Sequence, residues 1–492
     1  MMKRTLTVFA LSLFFLTTTL FAQGVPQAKN VIILIGDGMG FNSDLAGTYY
    51  RYGEAGKQSY HSFPVRLGCT TYAQAKADTP VPADFDKGYD PEVFWKSLSN
   101  GSRGTELTVT ADSAATSTSI HSGVKTRNGK IGVNAQNEPV ELISEIAART
   151  GRKTGCISTV PIAHATPAGF AAHARLRGDL DEIFKEMTDE HSPLTVMMGC
   201  GHPLYAQGRK RSERADETDD ARKKRFLGVG GEETWEKLKD GVINGFVVIE
   251  TKEQFEELAS PKPGAKLPAK VVGLVRSQDQ APPVDGTLDD VEATKKLLET
   301  EYARTVFSEI PDLTMMSLGA INMLTQDNDK GFVLMIEGGA IDWANHELNI
   351  NRSVLEHTGF SKAIDAVIRW VETESSWTET LVVITADHET GQMFGPGTYN
   401  DVNGNGVFDA GDTEHGFQPI ENMGRGNAPK VQYASKGHTN ALVPFYAKGP
   451  GSELFLQRVR GTDPKAAAYW KFSGQYIDNT DIFPVVKAVL AP

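Results

Sequence analysis

The sequence predicts a large doubly wound α/β domain with a central, mostly parallel sheet flanked by helices. Two observations predict it. Continuous apolar runs recur at Val31–Ile35, Phe332–Ile336 and Leu381–Ile384, and strands buried on both faces require unbroken runs of this kind. Each run is followed closely by an acid set beside glycine or histidine, at Asp37, Glu337 and Asp387. Open α/β sheets place their chemistry at such carboxyl ends of strands.

Composition fits that scale. The chain has 492 residues, 40% hydrophobic and 23% charged, enough for a large core and more than one minimal domain needs. The formal net charge of −12 argues against a sequence-independent grip on nucleic acid, and no nucleic-acid-binding module is visible. A small anionic substrate stays open, because a local cluster of cations reverses the field inside a cleft. Residues 1–22 read as an export signal: Lys3 and Arg4 precede an apolar run from Leu6 to Phe21, closed by Ala22. That run is short for a bilayer span and is interrupted by Thr17, Thr18 and Thr19. The expectation is an exported protein, periplasmic or extracellular, with no membrane span after signal removal. Cys69, Cys156 and Cys200 lie far apart, without a second cysteine at ligand spacing, and read as buried structural thiols.

Taken in order, the first strand ends in Gly36-Asp37-Gly38-Met39-Gly40. A carboxylate there with no cation beside it asks for a metal, although an acidic turn after a core strand looks the same. Asp112 and Ser113 precede a run of small and hydroxyl residues, which reads as a loop entering a helix with one of the two near the N-cap. A serine at that place sees the positive end of the helix dipole, which favours its alkoxide and any bound anion. An ordinary N-cap is the plainer alternative.

Thr154 to Val160 reads as a strand leading into His164, Thr166 and Pro167, where proline and alanines suggest a second helix start. Thr195 to Gly199 is a further strand. From 205 to about 310 the composition shifts to dense mixed charge and repeated proline, expected as an insertion at the sheet's edge. Beyond Glu337, Asp342 and His346 are four apart, so one helical turn puts both on one face. A long helix is expected from Arg352 to Glu374, and Asp387-His388 close the next strand. His438 stands before the apolar run Ala441–Ala447, where a lone histidine is more often a structural residue than a ligand. Residues 481–490 look helical. His61, His121, His173, His191, His202, His357 and His415 read as structural.

Asp37, Glu337, Asp342, His346, Asp387, His388 and His438 make a strand-end set of oxygen and imidazole without thiolate. Such a set suits zinc with a harder ion beside it. Paired metals about 4 Å apart stabilise the attacking and leaving oxygens of an in-line phosphoryl displacement. A serine supplies a nucleophile, and an arginine supplies two donors to phosphate oxygens.

Six segments, in this order and spacing, resemble the alkaline phosphatases: Gly36-Asp37-Gly38-Met39, Thr110 to Ala115, His164 to Ala168, Glu337 to Asp342 with His346, Thr385 to Glu389, and Gly437-His438-Thr439. The resemblance runs from about Lys29 to the C-terminus. It implies a metal-dependent phosphomonoester hydrolase, residues 23–492 forming one catalytic domain with insertions at about 205–310 and 392–435. It implies a phosphoserine intermediate on Ser113, two zinc ions and one magnesium ion. Asp37, Asp387 and His388 would hold one zinc; Asp342, His346 and His438 the other. Asp37, Thr166 and Glu337 would hold magnesium, with His164 beside it. Arg177 would clamp phosphate, preferred over Arg175 by its distance from Thr166. Asp112 and Trp343 would lie near the substrate. His164 and Trp343 stand where well-known bacterial members carry aspartate and lysine. A homodimer is implied as well.

A separate stretch, Asp401 to Asp412, has oxygen side chains at Asp401, Asn403, Asn405, Asp409 and Asp412, with Gly406 and the Val407 carbonyl at the intervening places. This fits an EF-hand-like calcium loop, and an acidic turn without metal is the alternative. Two other functions stay in view. A phosphodiesterase of the same superfamily would lack the third-site residues and the clamping arginine. A non-catalytic exported phosphate- or calcium-binding protein would show an incomplete ligand set.

Overall fold

The computed structural model describes residues 24–75, 88–98, 109–206, 209–211, 217–279, 310–409 and 411–491. The signal segment lies outside these residues, as do residues 99–108 and 280–309. Among the described residues no helix is long and apolar enough to cross a membrane.

One sheet organises the chain. Its strands are β1 (Asn30–Gly36), β2 (Val65–Thr70), β3 (Lys153–Pro161), β4 (Val196–Cys200), β5 (Phe246–Ile249), β6 (Lys270–Leu274), β7 (Phe332–Gly338), β8 (Thr380–Ala386), β9 (Val443–Lys448), β10 (Gly461–Thr462) and β11 (Gln475–Asp478). They lie side by side in the order β10-β11-β2-β9-β8-β1-β7-β3-β4-β6-β5. From β8 across to β5 every neighbouring pair is parallel. β9 enters antiparallel to both β8 and β2. Every residue of β1, β7 and β8 is buried. That is why these three strands read as unbroken apolar runs: helices cover both faces of the central sheet.

Five helices bear on the site: α1 (Phe41–Tyr52), α2 (Ser113–Ser122), α3 (Ala165–Ala171), α4 (Ala340–His346) and α5 (Ile350–Thr373). α1, α5 and Leu313–Thr325 pack together over one face, whereas α2, α3, Ile143–Arg149 and Ile482–Leu490 pack together over the other. The long helix begins two residues before, and ends one before, the span expected from its pattern. The stretch from 205 to 310 supplies β5 and β6, which extend the parallel sheet at one edge. Residues 392–435 form short ladders, Met393–Phe394 with Gln432–Tyr433 and Tyr399–Asn400 with Thr413–Glu414, and pack Met393, Ile420 and Tyr433 against Tyr50 and Val354. All three cysteines are buried and free.

α1 carries a tight internal contact. Asp44, buried, accepts from Tyr60 Oη (2.6 Å) and Tyr446 Oη (3.0 Å), and pairs with His61 (3.0 Å) and His357 (3.1 Å). The His357 ring so held leaves no room beside Gly47, where an added Cβ would lie 2.0 Å from Nδ1. Alanine in a helix interior ordinarily gains about 0.5–1 kcal/mol over glycine. Here overpacking against a pinned ring reverses the sign: Gly47→Ala is expected to cost ~1–3 kcal/mol, seen as a lower denaturant midpoint at unchanged slope. An unchanged midpoint would mean that the ring is free to move.

Candidate active site

The site grows out of strand register. Gly36 lies opposite Gly338 on one side and Ala386 on the other, and Ile35 lies opposite Glu337 and Thr385. Asp37 and Asp387 therefore leave adjacent strands at the same level, with Glu337 two residues behind Asp37. Gly38 turns the chain with φ +68°, and a Cβ there would lie 2.7 Å from the Asp342 Cα. Only glycine lets this turn approach α4 so closely. The Gly38 and His388 amides both donate to Asp387 Oδ1, at 3.1 and 2.8 Å.

Ser113 opens α2 from the other side of the cleft. Asp112 is the N-cap, accepting from the Ala115 amide at 3.0 Å. Ser113 Oγ lies 3.5 Å from Asp37 Oδ2 and 3.3 Å from His388 Nε2. Asp112 Oδ2 also accepts from the Gly129 amide (3.0 Å) and from an Arg177 guanidinium nitrogen (3.2 Å). The other terminal nitrogen of Arg177 is 3.1 Å from His164 Nε2. Arginine only donates, so that imidazole nitrogen accepts and the ring proton belongs on Nδ1. Burial, with the Arg177 charge, lowers the His164 pKa to about 4. Trp343 stands edge-on to the same ring at 6.0 Å. Arg175 is exposed and has no part in these contacts.

A second cluster adjoins the first. One turn of α4 sets His346 Nε2 3.3 Å from Asp342 Oδ2, and His438 Nε2 lies 3.4 Å from Asp342 Oδ1. The two Nε2 atoms are 3.1 Å apart. Each ring turns its Nδ1 to a backbone carbonyl, His438 to Ala111 (2.8 Å) and His346 to Lys436. A carbonyl accepts, so both Nδ1 atoms are donors and both Nε2 atoms are left for a shared cation. In the metal-free protein a proton stands in. The hydrogen bond to Asp342 lifts His346 to about 9. Burial raises Asp342, but its bonds from His346 and His438 outweigh that and hold it well below the usual range. His438 arrives on a two-residue antiparallel ladder, Thr390 opposite His438 and Glu389 opposite Thr439. Its ring stacks on His388 at 3.6 Å.

A third group lies behind. Glu337 Oε2 accepts from Ser158. Glu337 Oε1, Thr166 Oγ1 and Asp37 Oδ1 are buried without a hydrogen bond. Burial raises Glu337 to about 7 and Asp387 to about 6. It also lifts Asp37 well above its ordinary value, helped by Asp387, Asp342 and Glu337. Carboxylates packed this closely need cations. The donor atoms of Asp37, Asp342 and His388 fall within 4.8 Å of one another, as do those of Asp342, His346 and His438. Asp342 thus reaches both groups.

Comparison with known proteins follows the same line. The alkaline phosphatase family model matches residues 28–425. The chain belongs to the alkaline phosphatase family. Alkaline phosphatase 3 of Bacillus subtilis is 26% identical, with 89% of this chain and 87% of that protein covered. Streptomycin-6-phosphate phosphatase of Streptomyces griseus is 27% identical over 95% of this chain and 92% of its own. Among solved structures, the alkaline phosphatase of the Antarctic bacterium TAB5 superposes with a TM-score of 0.59 at 25% identity, covering 94% of this chain and 98% of its own. The fold is therefore that of the family, and the chain is an alkaline phosphatase, a phosphomonoester hydrolase by family.

The structure brings together the expected Asp37, Asp112, Ser113, His164, Thr166, Arg177, Glu337, Asp342, Trp343, His346, Asp387, His388 and His438. Set apart from them, Asp401, Asn403, Asn405, Val407, Asp409 and Asp412 lie in a surface loop of their own, Asn403 and Asn405 exposed and the others half-buried. There Asp401 caps the Gly404 and Gly406 amides (2.7 and 2.8 Å), Val407 donates to Asn405 (2.9 Å), and Asp412 accepts from Val402 (2.9 Å). Sequence reading passed over Ser158, Glu389, Thr390 and Thr439. Thr390 had a trace in sequence, since in extended chain the residue two after His388 shares its face.

The crowded carboxylates give a direct expectation. Stripping divalent cations with a chelator should lower the melting temperature, and restoring divalent cations should reverse the loss. A metal at ~1,000 times its Kd contributes about 4 kcal/mol. An unchanged melting curve in chelator would show that the acids are satisfied by protons alone.

Proposed function

We propose that this alkaline phosphatase releases phosphate from diverse phosphomonoesters through a phosphoserine on Ser113, at a site for two zinc ions and one magnesium ion. The observation that carries the reading is the placement of Ser113 Oγ at the first turn of α2, within 3.5 Å of Asp37 and 3.3 Å of His388. In this reading Asp37, Asp387 and His388 hold the zinc beside Ser113, and Asp342, His346 and His438 hold the second. Asp37, Thr166 and Glu337 hold magnesium, with His164 beside them. Oxygen and imidazole donors without thiolate suit these ions, and the unpartnered oxygens of Asp37, Glu337 and Thr166 are atoms such ions satisfy. Bound there, the ions lower the pKa of a hydroxyl or water and take up charge on the attacking and leaving oxygens.

The chain's own residues do the rest. Arg177 grips two non-bridging oxygens of the phosphoryl group through its paired nitrogens, and Asp112 fixes its angle. The start of α2 adds its positive dipole end. Ser113 Oγ attacks phosphorus in line and the alcohol leaves from the opposite face. Water then displaces phosphate from the phosphoserine and Ser113 regains its proton. Two inversions give net retention at phosphorus. The leaving side is the open one: His346 and His438 side chains are 37% and 17% exposed while His388 is fully buried. An open leaving side supports tolerance of many alcohols. Trp343 and His164 together border the phosphate.

A histidine-to-aspartate variant of the TAB5 enzyme has magnesium bound in its M3 site, which supports a metal ion at the third place here. His164 brings nitrogen where an aspartate would bring oxygen, so the third ion is the most weakly held. The same reading takes residues 1–22 as a removed export signal, the mature protein as periplasmic or extracellular, and its assembly as a homodimer. The loop 401–412 binds calcium through Asp401, Asn403, Asn405, the Val407 carbonyl and Asp412. Calcium added to zinc-loaded protein should then raise the melting temperature in the natural chain and leave Asp401→Ala unmoved; equal response in both, or none, removes the calcium site.

The deciding assay compares a chromogenic phosphomonoester with a matching phosphodiester. Monoester turnover should dominate. Ser113→Ala should lose at least ~10³-fold in kcat while retaining its metals by mass spectrometry. Faster diester turnover would overturn the monoesterase reading, and full activity in Ser113→Ala would overturn the phosphoserine.

A further inference from the structure

We propose that Thr390 is a positioning residue that locks the two halves of the metal site to each other through a single hydroxyl. The inference rests on the metal assignment above and concerns how that assignment is held in place. Thr390 is fully buried. Its Oγ1 contacts Asp342 Oδ1 and lies 3.3 Å from His388 Nδ1. Asp342 and His388 belong to different elements and, in the reading above, to different zinc ions.

The direction of the two bonds follows from chemistry. Thr390 Oγ1 donates to the Asp342 carboxylate oxygen Oδ1, so the threonine hydroxyl spends its one proton there. The oxygen's lone pairs are then free to accept, and the atom facing them is His388 Nδ1. The His388 proton therefore sits on Nδ1, and the chain runs from Nδ1–H to Oγ1–H to Oδ1. This leaves the Nε2 lone pair of His388 aimed at Ser113 Oγ (3.3 Å), with Asp387 at 3.3 Å and Asp37 at 3.5 Å. Imidazole ligates through a bare nitrogen, so the opposite tautomer could not bind a metal at this place.

Thr390 cannot drift from this position. Its amide donates to the Gly38 carbonyl at 3.2 Å, and its backbone pairs with His438 in the ladder. Gly38 in turn needs to be glycine for this contact: a Cβ there would lie 2.8 Å from Thr390 Oγ1. The backbone of residue 390 is thus fixed from both sides independently of its side chain. Changing the hydroxyl alone tests the hydroxyl alone.

The test compares Thr390→Val and Thr390→Ala, which remove the hydroxyl at two sizes, with Thr390→Ser, which keeps it. Zinc release is followed by competition with a graded chelator on the full chain, alongside ¹⁵N imidazole spectra and a circular-dichroism check of folding. Loss of an outer hydrogen bond to a metal-binding histidine typically costs 10–100-fold in metal affinity. The expected result is a weakening of that size in the valine and alanine proteins, with serine within a few-fold of the natural chain. The Nδ1–H resonance of His388 should persist in the natural and serine proteins and broaden or shift in the other two. If valine fails to fold, alanine, which cannot overfill the site, carries the comparison. Natural protein holding two zincs, with all three variants releasing them at one chelator concentration, overturns the role of Thr390 and leaves the proposed function intact. Natural protein that binds no zinc overturns the proposed function itself.

Discussion

Mutual repulsion among buried carboxylates is the constraint on which the rest of this structure depends. Asp37, Glu337, Asp342 and Asp387 are all removed from water, and a charge in such surroundings is costly unless paired. Apolar packing supplies no relief. Histidines answer part of the demand, with His346 and His438 on Asp342 and His388 between Asp37 and Asp387. The donor atoms of Asp37, Asp342, His346, His388 and His438 are grouped so that cations could answer the remainder. A protein that spends so much of its interior on unneutralised acid is organised around what binds there, and the surrounding sheet is the rigid frame that keeps the acids from moving apart.

The frame works through register. Three adjacent parallel strands present their ends at one level, so residues more than three hundred positions apart in sequence arrive within hydrogen-bond distance. Small residues finish the job. Gly38 admits α4, and the short ladder between Glu389–Thr390 and His438–Thr439 carries an imidazole from a distant loop into the same cavity. α2 then closes the cleft from the opposite face and turns the positive end of its dipole inward at Ser113. Each of these devices is backbone geometry. The side chains only inherit the positions it gives them.

Much of this was legible in the residues. Asp37, Glu337 and Asp387 could be found because a doubly covered strand has no polar positions, so the first acid after an apolar run marks the strand's end. Asp342 and His346 followed from helical spacing. His438 was less legible: a histidine before a strand has no local feature to mark it, so it entered the strand-end set by residue type, and only the family resemblance gave it a place beside Asp342 and His346. Its arrival depends on a ladder with Thr390, a long-range pairing that no local window contains. The antiparallel entry of β9 was hidden for a similar reason, since an apolar run states burial and not direction. β5 and β6 were obscured by their setting among charge and proline, although they continue the parallel sheet. The choice of Arg177 over Arg175 came from distance along the chain, and in the fold only Arg177 turns inward.

The placement of His438 has a consequence for the order in which the molecule is made. Asp342 and His346 are synthesised together and share a helical turn, but the third member of their cluster emerges almost a hundred residues later, after the excursion through 392–435. Contacts of such separation form late, because loop closure must precede them. A growing or incompletely folded chain therefore exposes several carboxylates and imidazoles before His438 has joined Asp342 and His346. The complete cluster is something that this protein acquires only once the segment bearing His438 has folded home.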